Sequence, residues 1–273
     1  MSEQPRGLRH AERAMGTVFS FDIRDAPTAA VAAALRDAVA WLHHVDDVFS
    51  TYRPGSVISR LARGDIGPDD CSPEVREVLG LCARTRHATD GWFSPTPGGT
   101  LDPSGLVKGW AVERAGQMLR AAGARHTCVN GGGDLQLSGE SAPGVPWRIG
   151  IAHPLRPGAL CTVVTGRDLA IATSGTAERG AHILDPHTGA PADGPASVTV
   201  VGRRLTLTDA YATAAFAMGD RARDWLEDLD GYEGFAVLRD GRTWRTSGFP
   251  DAESRRPPGG QARWTSAVTI SPF

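Results

Sequence analysis

Asp209 and Thr213 are a carboxylate and a hydroxyl spaced four residues apart. Thr208 and Asp209 are predicted to begin a helix that runs through Met218 and stops at Gly219. Residues four apart on a helix project to the same side, so both oxygens face one direction. Mg²⁺ prefers such hard oxygen ligands and completes its shell with phosphate and water. The alternative is structural, with Asp209 as a helix cap and Thr213 bonded to its own helix.

A second group of residues has the chemistry of an anion site. Asp102, Gly105 and Lys108 lie at the glycine-interrupted start of another predicted helix. Free amide groups and the helix dipole at such a start favour a phosphate. The alternative is that Asp102 only caps the helix, with Pro103 as its first residue.

The turn over residues 130–134 is the third candidate, because it contains three successive glycines. Glycines there bring bare backbone amides close to a neighbouring loop, where they could contact a ligand. The alternative is that they only form a hairpin.

Four further side chains have both a functional and a structural interpretation. Tyr52 could stack on an aromatic ligand or simply lie on the surface. Met15 could contact a ligand or fill the core. His182 precedes an apolar pair and could be a core histidine, and His187 could be a plain turn residue.

The elements that position these residues follow from hydrophobic periodicity. Apolar residues at helical spacing predict a helix over about 28–49, another starting at Ser72, and a third stopping at Gly123. Beyond residue 134 the alternation is mainly that of strands separated by Gly and Pro turns. The predicted strands are 17–23, 126–129, 134–138, 147–153, 160–165, 168–173 and 196–201, followed by a short helix over 220–229 and a hairpin over 234–246.

Composition narrows the class of partner. The formal charge is −2 and no long run of Lys or Arg occurs, so neither a nucleic acid nor a membrane surface is an expected partner. The four cysteines form no metal-binding or disulfide pattern. No signal peptide, lipobox or long apolar segment is evident, so we expect no membrane insertion and a cytoplasmic location.

The expected organisation is one domain with two looser ends. Residues 1–13 are polar and predicted to be disordered, residues 14–249 form the domain, and residues 250–273 are a Pro/Gly/Arg-rich segment that is partly mobile.

Eight short motifs occur in a fixed order over residues 15 to 219. They are Met15-Gly16-Thr17, Phe49-Ser50-Thr51-Tyr52, Gly91-x-Phe93, Leu101-Asp102-x-Ser104-Gly105-x-x-Lys108-Gly109, Asn130-x-Gly132-Gly133-Asp134, Thr173-Ser174-Gly175, His182-Ile183-Leu184-Asp185-Pro186-x-Thr188-Gly189 and Asp209-Ala210-x-Ala212-Thr213. Each is weak by itself, but together and in this order they resemble the ApbE family of FAD:protein FMN transferases.

The resemblance implies an α+β fold, a single domain in which a mixed or antiparallel sheet and a helical layer enclose a cleft for FAD. It implies an enzyme for which FAD is a substrate and Mg²⁺ a cofactor. The FMN half of FAD would be moved onto a Thr or Ser hydroxyl of an acceptor flavoprotein through a phosphoester bond, with release of AMP. The acceptor would carry a flavinylation-type Thr/Ser motif.

The resemblance also implies roles for individual residues. The metal would be held by a main-chain oxygen of Gly105 and the side chains of Asp209 and Thr213. Catalysis would use Lys108 and Asp209, and His182 is our candidate for the base that deprotonates the acceptor hydroxyl. The residues implied at the flavin nucleotide site are Met15, Tyr52, Phe93, Ser94, Pro95, Thr96, Asp102, Lys108, Gly132, Gly133 and Ile183.

Three features depart from the family pattern. Ser94 stands where the family commonly has Asp. Only six residues, 176–181, precede His182, where many relatives place a longer hairpin, so the acceptor entrance is expected to be more open. The lipoprotein signal that many relatives carry is also missing, so the acceptor is expected in the cytoplasm or facing it.

Two other functions are compatible with the same residues. In an FAD pyrophosphatase, water replaces the acceptor hydroxyl and FAD is split into FMN and AMP; the short 176–181 segment favours this reading. A protein that binds FAD without chemistry would bind it equally well with and without Mg²⁺.

Overall fold

The helices predicted over about 28–49, from Ser72 and up to Gly123 are present, whereas the short helix Val57–Arg63 was not predicted from the sequence. The structure is a computed structural model that describes residues 7–176 and 183–251 and the backbone of Val268–Thr269. Helix α1 buries Leu42 and Phe49 and is capped by Thr28, whose Oγ1 accepts the Val31 amide at 3.1 Å. The α-helices of the described residues are α1 (Ala29–Phe49), α2 (Val57–Arg63), α3 (Pro73–Ala88), α4 (Ser104–Ala121), α5 (Leu205–Met218) and α6 (Ala222–Glu227).

The strands form two sheets. They are β1 (Leu8–Ala14), β2 (Thr17–Ile23), β3 (Thr127–Gly131), β4 (Asp134–Ser138), β5 (Trp147–Ala152), β6 (Leu160–Gly166), β7 (Ala170–Gly175), β8 (Ser197–Gly202), β9 (Glu233–Val237), β10 (Thr243–Arg245) and β11 (Val268–Thr269). The larger sheet has eight antiparallel strands in the order β1-β2-β3-β4-β7-β8-β9-β10. The smaller has the order β11-β5-β6, with β11 parallel to β5.

Three layers result from the alternation of side chains across the large sheet. Val129 faces the core beneath the helices, whereas its neighbour Cys128 faces the core shared with the small sheet. Trp147 of the small sheet is fully buried there and donates its indole N–H to the Ser138 carbonyl at 3.0 Å. On the other face, α4 and α5 lie directly on the sheet and α1 packs against α4. The α+β architecture predicted from the sequence is therefore confirmed.

The N-terminal boundary needs a correction, because residues 8–13 are not disordered. They belong to β1, which pairs with β2 from Leu8↔Ile23 to Ala14↔Thr17. The apolar pattern did not predict this strand, because it lies at the sheet edge. It carries exposed charged residues, such as Arg9 and Arg13, instead of alternating apolar ones.

The start of the C-terminal segment belongs to the small-sheet layer. The Pro250 carbonyl accepts the Thr165 amide at 2.9 Å, and Asp251 is buried and paired with Arg245. Over the residues that the structure describes, no helix combines the length and the apolar character needed to span a bilayer.

Candidate functional site

Helices α4 and α5 run antiparallel and touch at two glycines. A Cβ added at Gly105 would lie 3.5 Å from Thr213 Oγ1, and one added at Gly109 would lie 2.8 Å from Asp209 Cβ. The two contacts follow opposite chain directions on the two helices. Since the Cβ at position 109 would also lie 2.6 Å from the Leu205 carbonyl oxygen, this approach requires glycine.

The start of α5 is held by side chains from other elements. The buried carboxylate of Glu113, on α4, accepts the Thr206 amide at 3.0 Å and the Thr206 hydroxyl at 2.6 Å. Gln136 Oε1, on β4, accepts the Leu205 amide at 3.0 Å. These bonds satisfy amides that a helix start leaves free. The helix therefore begins at Leu205, and the prediction that it begins at Thr208 and Asp209 is wrong.

Asp209 consequently lies in the second turn of α5 and does not cap it. Its side chain is buried, and its Oδ2 accepts the Gly109 amide at 2.9 Å from α4. An amide inside a helix ordinarily donates to the carbonyl four residues earlier, which for Gly109 is that of Gly105. The bond from this amide to Asp209 additionally joins α4 to α5.

Two buried carboxylates and one ammonium meet next to this contact. Lys108 Nζ forms an ion pair with Asp134 Oδ2, and Asp134 Oδ1 accepts the Thr173 amide at 3.0 Å. Asp209 interacts with both members of the pair. Burial and the neighbouring charge of Asp134 raise the pKa of Asp209 to about 7, although Lys108 and the Gly109 amide act in the opposite direction.

This cluster fits a divalent cation. Ionising two buried carboxylates that interact costs free energy. When both are ionised, a single ammonium leaves one negative charge uncompensated. The neighbouring donors, the Thr213 hydroxyl and the Gly105 carbonyl, are hard oxygens of the kind that Mg²⁺ takes. Among the described residues no group of three His, Cys, Asp or Glu side chains is arranged to hold a metal. A cation here would therefore depend on the hydroxyl and main-chain oxygens beside Asp209.

Two tight turns lie side by side at the same edge. The turn between β1 and β2 has φ of 47° at Met15 and 70° at Gly16, and the turn between β3 and β4 has φ of 58° at Gly132 and 92° at Gly133. The Gly132 amide donates to the Val18 carbonyl at 3.1 Å. Positive φ is uncommon for a residue other than glycine and costs conformational energy, and such strain clusters at functional sites. The two turns place Met15, Gly132 and Gly133 at the edge of the sheet where β4 begins with Asp134.

The Phe93–Thr96 loop lies against the start of α4. Phe93 is buried, with its ring 3.4 Å from a Cβ added at Gly105. The Pro95 carbonyl accepts the Asp102 amide at 2.7 Å, and Asp102 Oδ1 accepts the Ser104 amide at 3.0 Å. Asp102 thus accepts the first amide of α4, but the helix begins at Ser104 with Pro103 at the N-cap position. The prediction that Asp102 is the N-cap and Pro103 the first helical residue is wrong by one position. Within the loop, Ser94 Oγ accepts the Thr96 amide at 3.2 Å.

The other predicted site residues lie in loops or outside the described residues. Tyr52 follows α1 and is 93% exposed. Ile183 is half-buried, and its neighbour Leu184 lies 3.4 Å from a Cβ added at Gly98. His182 lies outside the described residues. His187 is in a turn, as predicted, and its ring packs on Trp92 with centroids 4.5 Å apart.

Asp134, Gly109 and Glu113 are the functional candidates that sequence reasoning missed. Asp134 and Gly109 ended motifs that were recognised, yet neither was assigned a role. The available signal was a carboxylate directly after three glycines and a glycine inside a predicted helix. For the role of Glu113 at α5 no local signal exists, since its partner there, Thr206, is 93 residues away along the chain.

The chain is similar to proteins of known activity. The FAD:protein FMN transferase of Rhodobacter capsulatus is 31% identical over 194 residues, which cover 68% of this chain and 34% of that protein. The FAD:protein FMN transferase of Vibrio cholerae is 31% identical over 169 residues, which cover 58% of this chain and 51% of that protein. The matched part thus spans between a third and about half of these curated relatives.

Solved structures share the fold. The flavin transferase ApbE from Vibrio cholerae superposes with a TM-score of 0.76 at 24% identity, covering 89% of this chain and 97% of that one. The ApbE protein from Thermotoga maritima has a TM-score of 0.76 at 24% identity, covering 88% and 97%. The model of the ApbE family matches residues 15–100 and 96–236, well over half of the chain. Because the family model matches most of the chain and the chain shares the fold of these solved proteins, it belongs to the ApbE family.

Proposed function

We propose that this protein transfers the FMN half of FAD onto a Thr or Ser hydroxyl of an acceptor flavoprotein, with Mg²⁺ bound, and releases AMP. The observation that carries the proposal is the cluster of Asp209, Asp134 and Lys108 beside Gly105 and Thr213. Its oxygen donors and excess negative charge suit a cation, and a bound cation together with Lys108 at the start of a helix would neutralise the charge of a pyrophosphate, which its cleavage requires. The names of the relatives favour the same reaction.

The cation would be held by the Asp209 carboxylate, the Thr213 hydroxyl and the Gly105 carbonyl oxygen. Bound there, it would neutralise charge on the pyrophosphate oxygens of FAD. Gly109 orients the Asp209 carboxylate through its amide, and the packing of α4 on α5 sets the distance between the donors.

Lys108 supplies the second positive charge. It is partly exposed, whereas its partner Asp134 is buried, so the ammonium can face a bound phosphate while staying paired. The helix start at Asp102 and Gly105 adds amide groups that favour an anion. Lys108 would thus orient the pyrophosphate and stabilise the charge that develops on it.

The flavin nucleotide would lie along the edge formed by the two tight turns and the Phe93–Thr96 loop. Met15, Gly132 and Gly133 lie at one side, and Ser94, Pro95 and Thr96 follow the buried Phe93 at the other. The amides of Gly132 and Gly133 donate to the Val18 carbonyl and to Asn130 Oδ1, so these glycines would offer their open surface to the nucleotide and not their amides. Asp102, Ile183 and the exposed Tyr52 complete the proposed set. Tyr52 offers an unpacked aromatic ring for stacking.

The covalent step is a substitution at phosphorus. A bond forms between the acceptor hydroxyl oxygen and the phosphorus of the FMN half, while the bond to the bridging pyrophosphate oxygen breaks and AMP leaves. His182 takes the hydroxyl proton on its imidazole. An imidazole suits this task because its ordinary pKa is near neutrality.

A direct test is incubation of the protein with FAD, MgCl₂ and a peptide containing a flavinylation-type Thr, followed by mass spectrometry of the peptide. The expected product is a peptide that carries the whole FMN moiety in a phosphoester bond, so its mass rises by that of FMN less one water. AMP is formed with it. The control is the same peptide with that Thr replaced by Val, which should stay unmodified. An unmodified Thr peptide in the presence of bound FAD would refute transfer.

Hydrolysis is the second candidate, favoured by the short 176–181 segment before His182. A more open entrance would let water take the place of the acceptor hydroxyl. The same incubation separates the two reactions, since hydrolysis yields free FMN and AMP with no change in the peptide. FAD binding that is independent of Mg²⁺ and yields no AMP would indicate a binding protein without chemistry.

A further inference from the structure

Asp134 has a position that the reaction alone does not explain. It is 1% exposed, and its carboxylate is paired with the ammonium of Lys108 and shares a side-chain hydrogen bond with Asp209, two groups of the proposed site. A carboxylate that is buried beside another carboxylate is costly, so an apolar or amide side chain would be the stabilising choice if packing were its only task.

The carboxylate is held in place by the backbone of a neighbouring strand. The ladder between β4 and β7 is paired at Leu135↔Ile171, and beyond it Asp134 Oδ1 accepts the Thr173 amide at 3.0 Å. One oxygen therefore replaces a ladder bond at the end of the strand pair. The other oxygen, Oδ2, is directed to Lys108.

Lys108 has two anionic neighbours with which it could pair. Its charge acts on Asp209 as well as on Asp134. If Asp134 lost its charge, Asp209 would be the remaining carboxylate for the ammonium. A lysine paired with Asp209 would compete with a metal ion for the same oxygens.

We propose that Asp134 is a positioning residue that holds the Lys108 ammonium away from Asp209, so that Asp209 stays available to a divalent cation. This inference rests on the proposed function, because it concerns the same cation site. It assigns Asp134 a task distinct from metal ligation or phosphate binding, namely to keep a lysine and a metal ligand apart in a buried site. It also explains why the cluster contains two carboxylates for one lysine.

Asp134→Asn is the variant that tests the idea. The asparagine can still accept the Thr173 amide through Oδ1, but its NH₂ group cannot pair with Lys108. The probe is MgCl₂ alone, without FAD, titrated by calorimetry and by the rise in melting temperature. Loss of a residue that orients a metal ligand typically lowers metal affinity by about 10- to 100-fold, and we expect a loss of at least about tenfold here.

A double-mutant cycle separates positioning from simple loss of charge. In a Lys108→Met background no ammonium can move to Asp209, so adding Asp134→Asn should change Mg²⁺ affinity by less than about threefold. A charge effect alone would make Asp134→Asn equally costly in both backgrounds, and that result would overturn the inference. An Mg²⁺ affinity unchanged by Asp134→Asn in the otherwise native protein would overturn it too.

Asp251→Asn is a matched control, because Asp251 is also a buried carboxylate with a basic partner, Arg245, but lies in the small-sheet layer. It should leave Mg²⁺ affinity unchanged. The outcomes also separate this inference from the proposed function. Non-additive Mg²⁺ binding without transfer of FMN would refute only the proposed function, whereas transfer with an additive cycle would refute only the role of Asp134. Native protein that binds no Mg²⁺ would refute both.

Discussion

The amide of Gly109 donates a hydrogen bond to Asp209 Oδ2 at 2.9 Å, and so links the second turn of α4 to the second turn of α5. The two residues are also as close as their backbones allow, since a Cβ at position 109 would lie 2.8 Å from Asp209 Cβ. The contact sets the position of the carboxylate on which the proposed cation site depends.

Gly109→Ala should therefore destabilise the protein and weaken the cation site. Overpacking of a close contact costs about 1–3 kcal/mol, and the helices must separate to accommodate the methyl group. Urea denaturation measures the stability and calorimetry with MgCl₂ the affinity. Gly116→Ala is the control on the same helix, because a Cβ there would meet its nearest atom at 3.7 Å. Alanine should be tolerated there, and equal losses in the two variants would contradict the proposed role of Gly109.

Asp209→Asn should change how stability depends on pH in the absence of metal. The pKa of Asp209 is raised from 3.8 to about 7 in the folded protein, mainly by burial. Between these values the folded state holds a proton that the unfolded state has released, so the free energy of unfolding must fall as pH rises through this window. The amide variant lacks this dependence.

In the presence of a chelator, Asp209→Asn should accordingly gain stability relative to the native protein between pH 4.5 and pH 8, by a few kcal/mol, on the order expected for such a shift. Urea denaturation at pH 4.5 and pH 8 measures the difference. Excess Mg²⁺ should stabilise the native protein and leave the variant unchanged. A native protein that gains stability relative to the variant from pH 4.5 to pH 8 without metal would contradict the assignment.

Tyr52→Ala should weaken FAD binding without changing stability. The ring is 93% exposed, so its removal costs the fold little. If it stacks on the nucleotide, the loss of about 1 kcal/mol of aromatic contact lowers affinity by roughly fivefold. Calorimetry with FAD measures the affinity, and Leu155→Ala removes another exposed apolar side chain as a control. An affinity that matches the control would place Tyr52 outside the nucleotide site.

His182→Ala should lower FMN transfer by at least roughly 10²-fold while FAD affinity stays nearly constant. The imidazole would act only as the acceptor hydroxyl is deprotonated, so the complex with FAD should survive its loss. Single-turnover transfer, FAD affinity and melting temperature are measured on the one variant. His187→Ala is the control, since that ring packs on Trp92. A destabilised His182→Ala protein with near-normal turnover per folded molecule would identify a structural histidine.

Local sequence was sufficient for elements whose pattern is set by burial of their own residues. Helix α1 has the predicted bounds because its apolar residues recur at helical spacing and meet one core. The hairpin predicted over 234–246 is formed by β9 and β10, and its turn contains Gly241 with φ of 85°. Strand β1 was missed because an edge strand satisfies its backbone through β2 and needs no apolar alternation.

The sequence by itself determined which residue types were available for chemistry. The motif order indicated the family, the fold class and a cation site at Asp209 and Thr213, since spacing along a helix is a local property. The sequence likewise indicated that Asp102 and Lys108 lie at the start of a helix that could bind an anion.

Only the tertiary structure decided how those residues act together. Glu113 bonds the first turn of α5, Gly109 bonds Asp209, and Asp134 pairs with Lys108. Each of these contacts joins residues that are far apart in the chain, so neither periodicity nor a motif records it. Their geometry depends on the packing of α4 and α5 on the sheet, because a hydrogen bond or ion pair forms only where the fold brings two distant groups within about 3 Å.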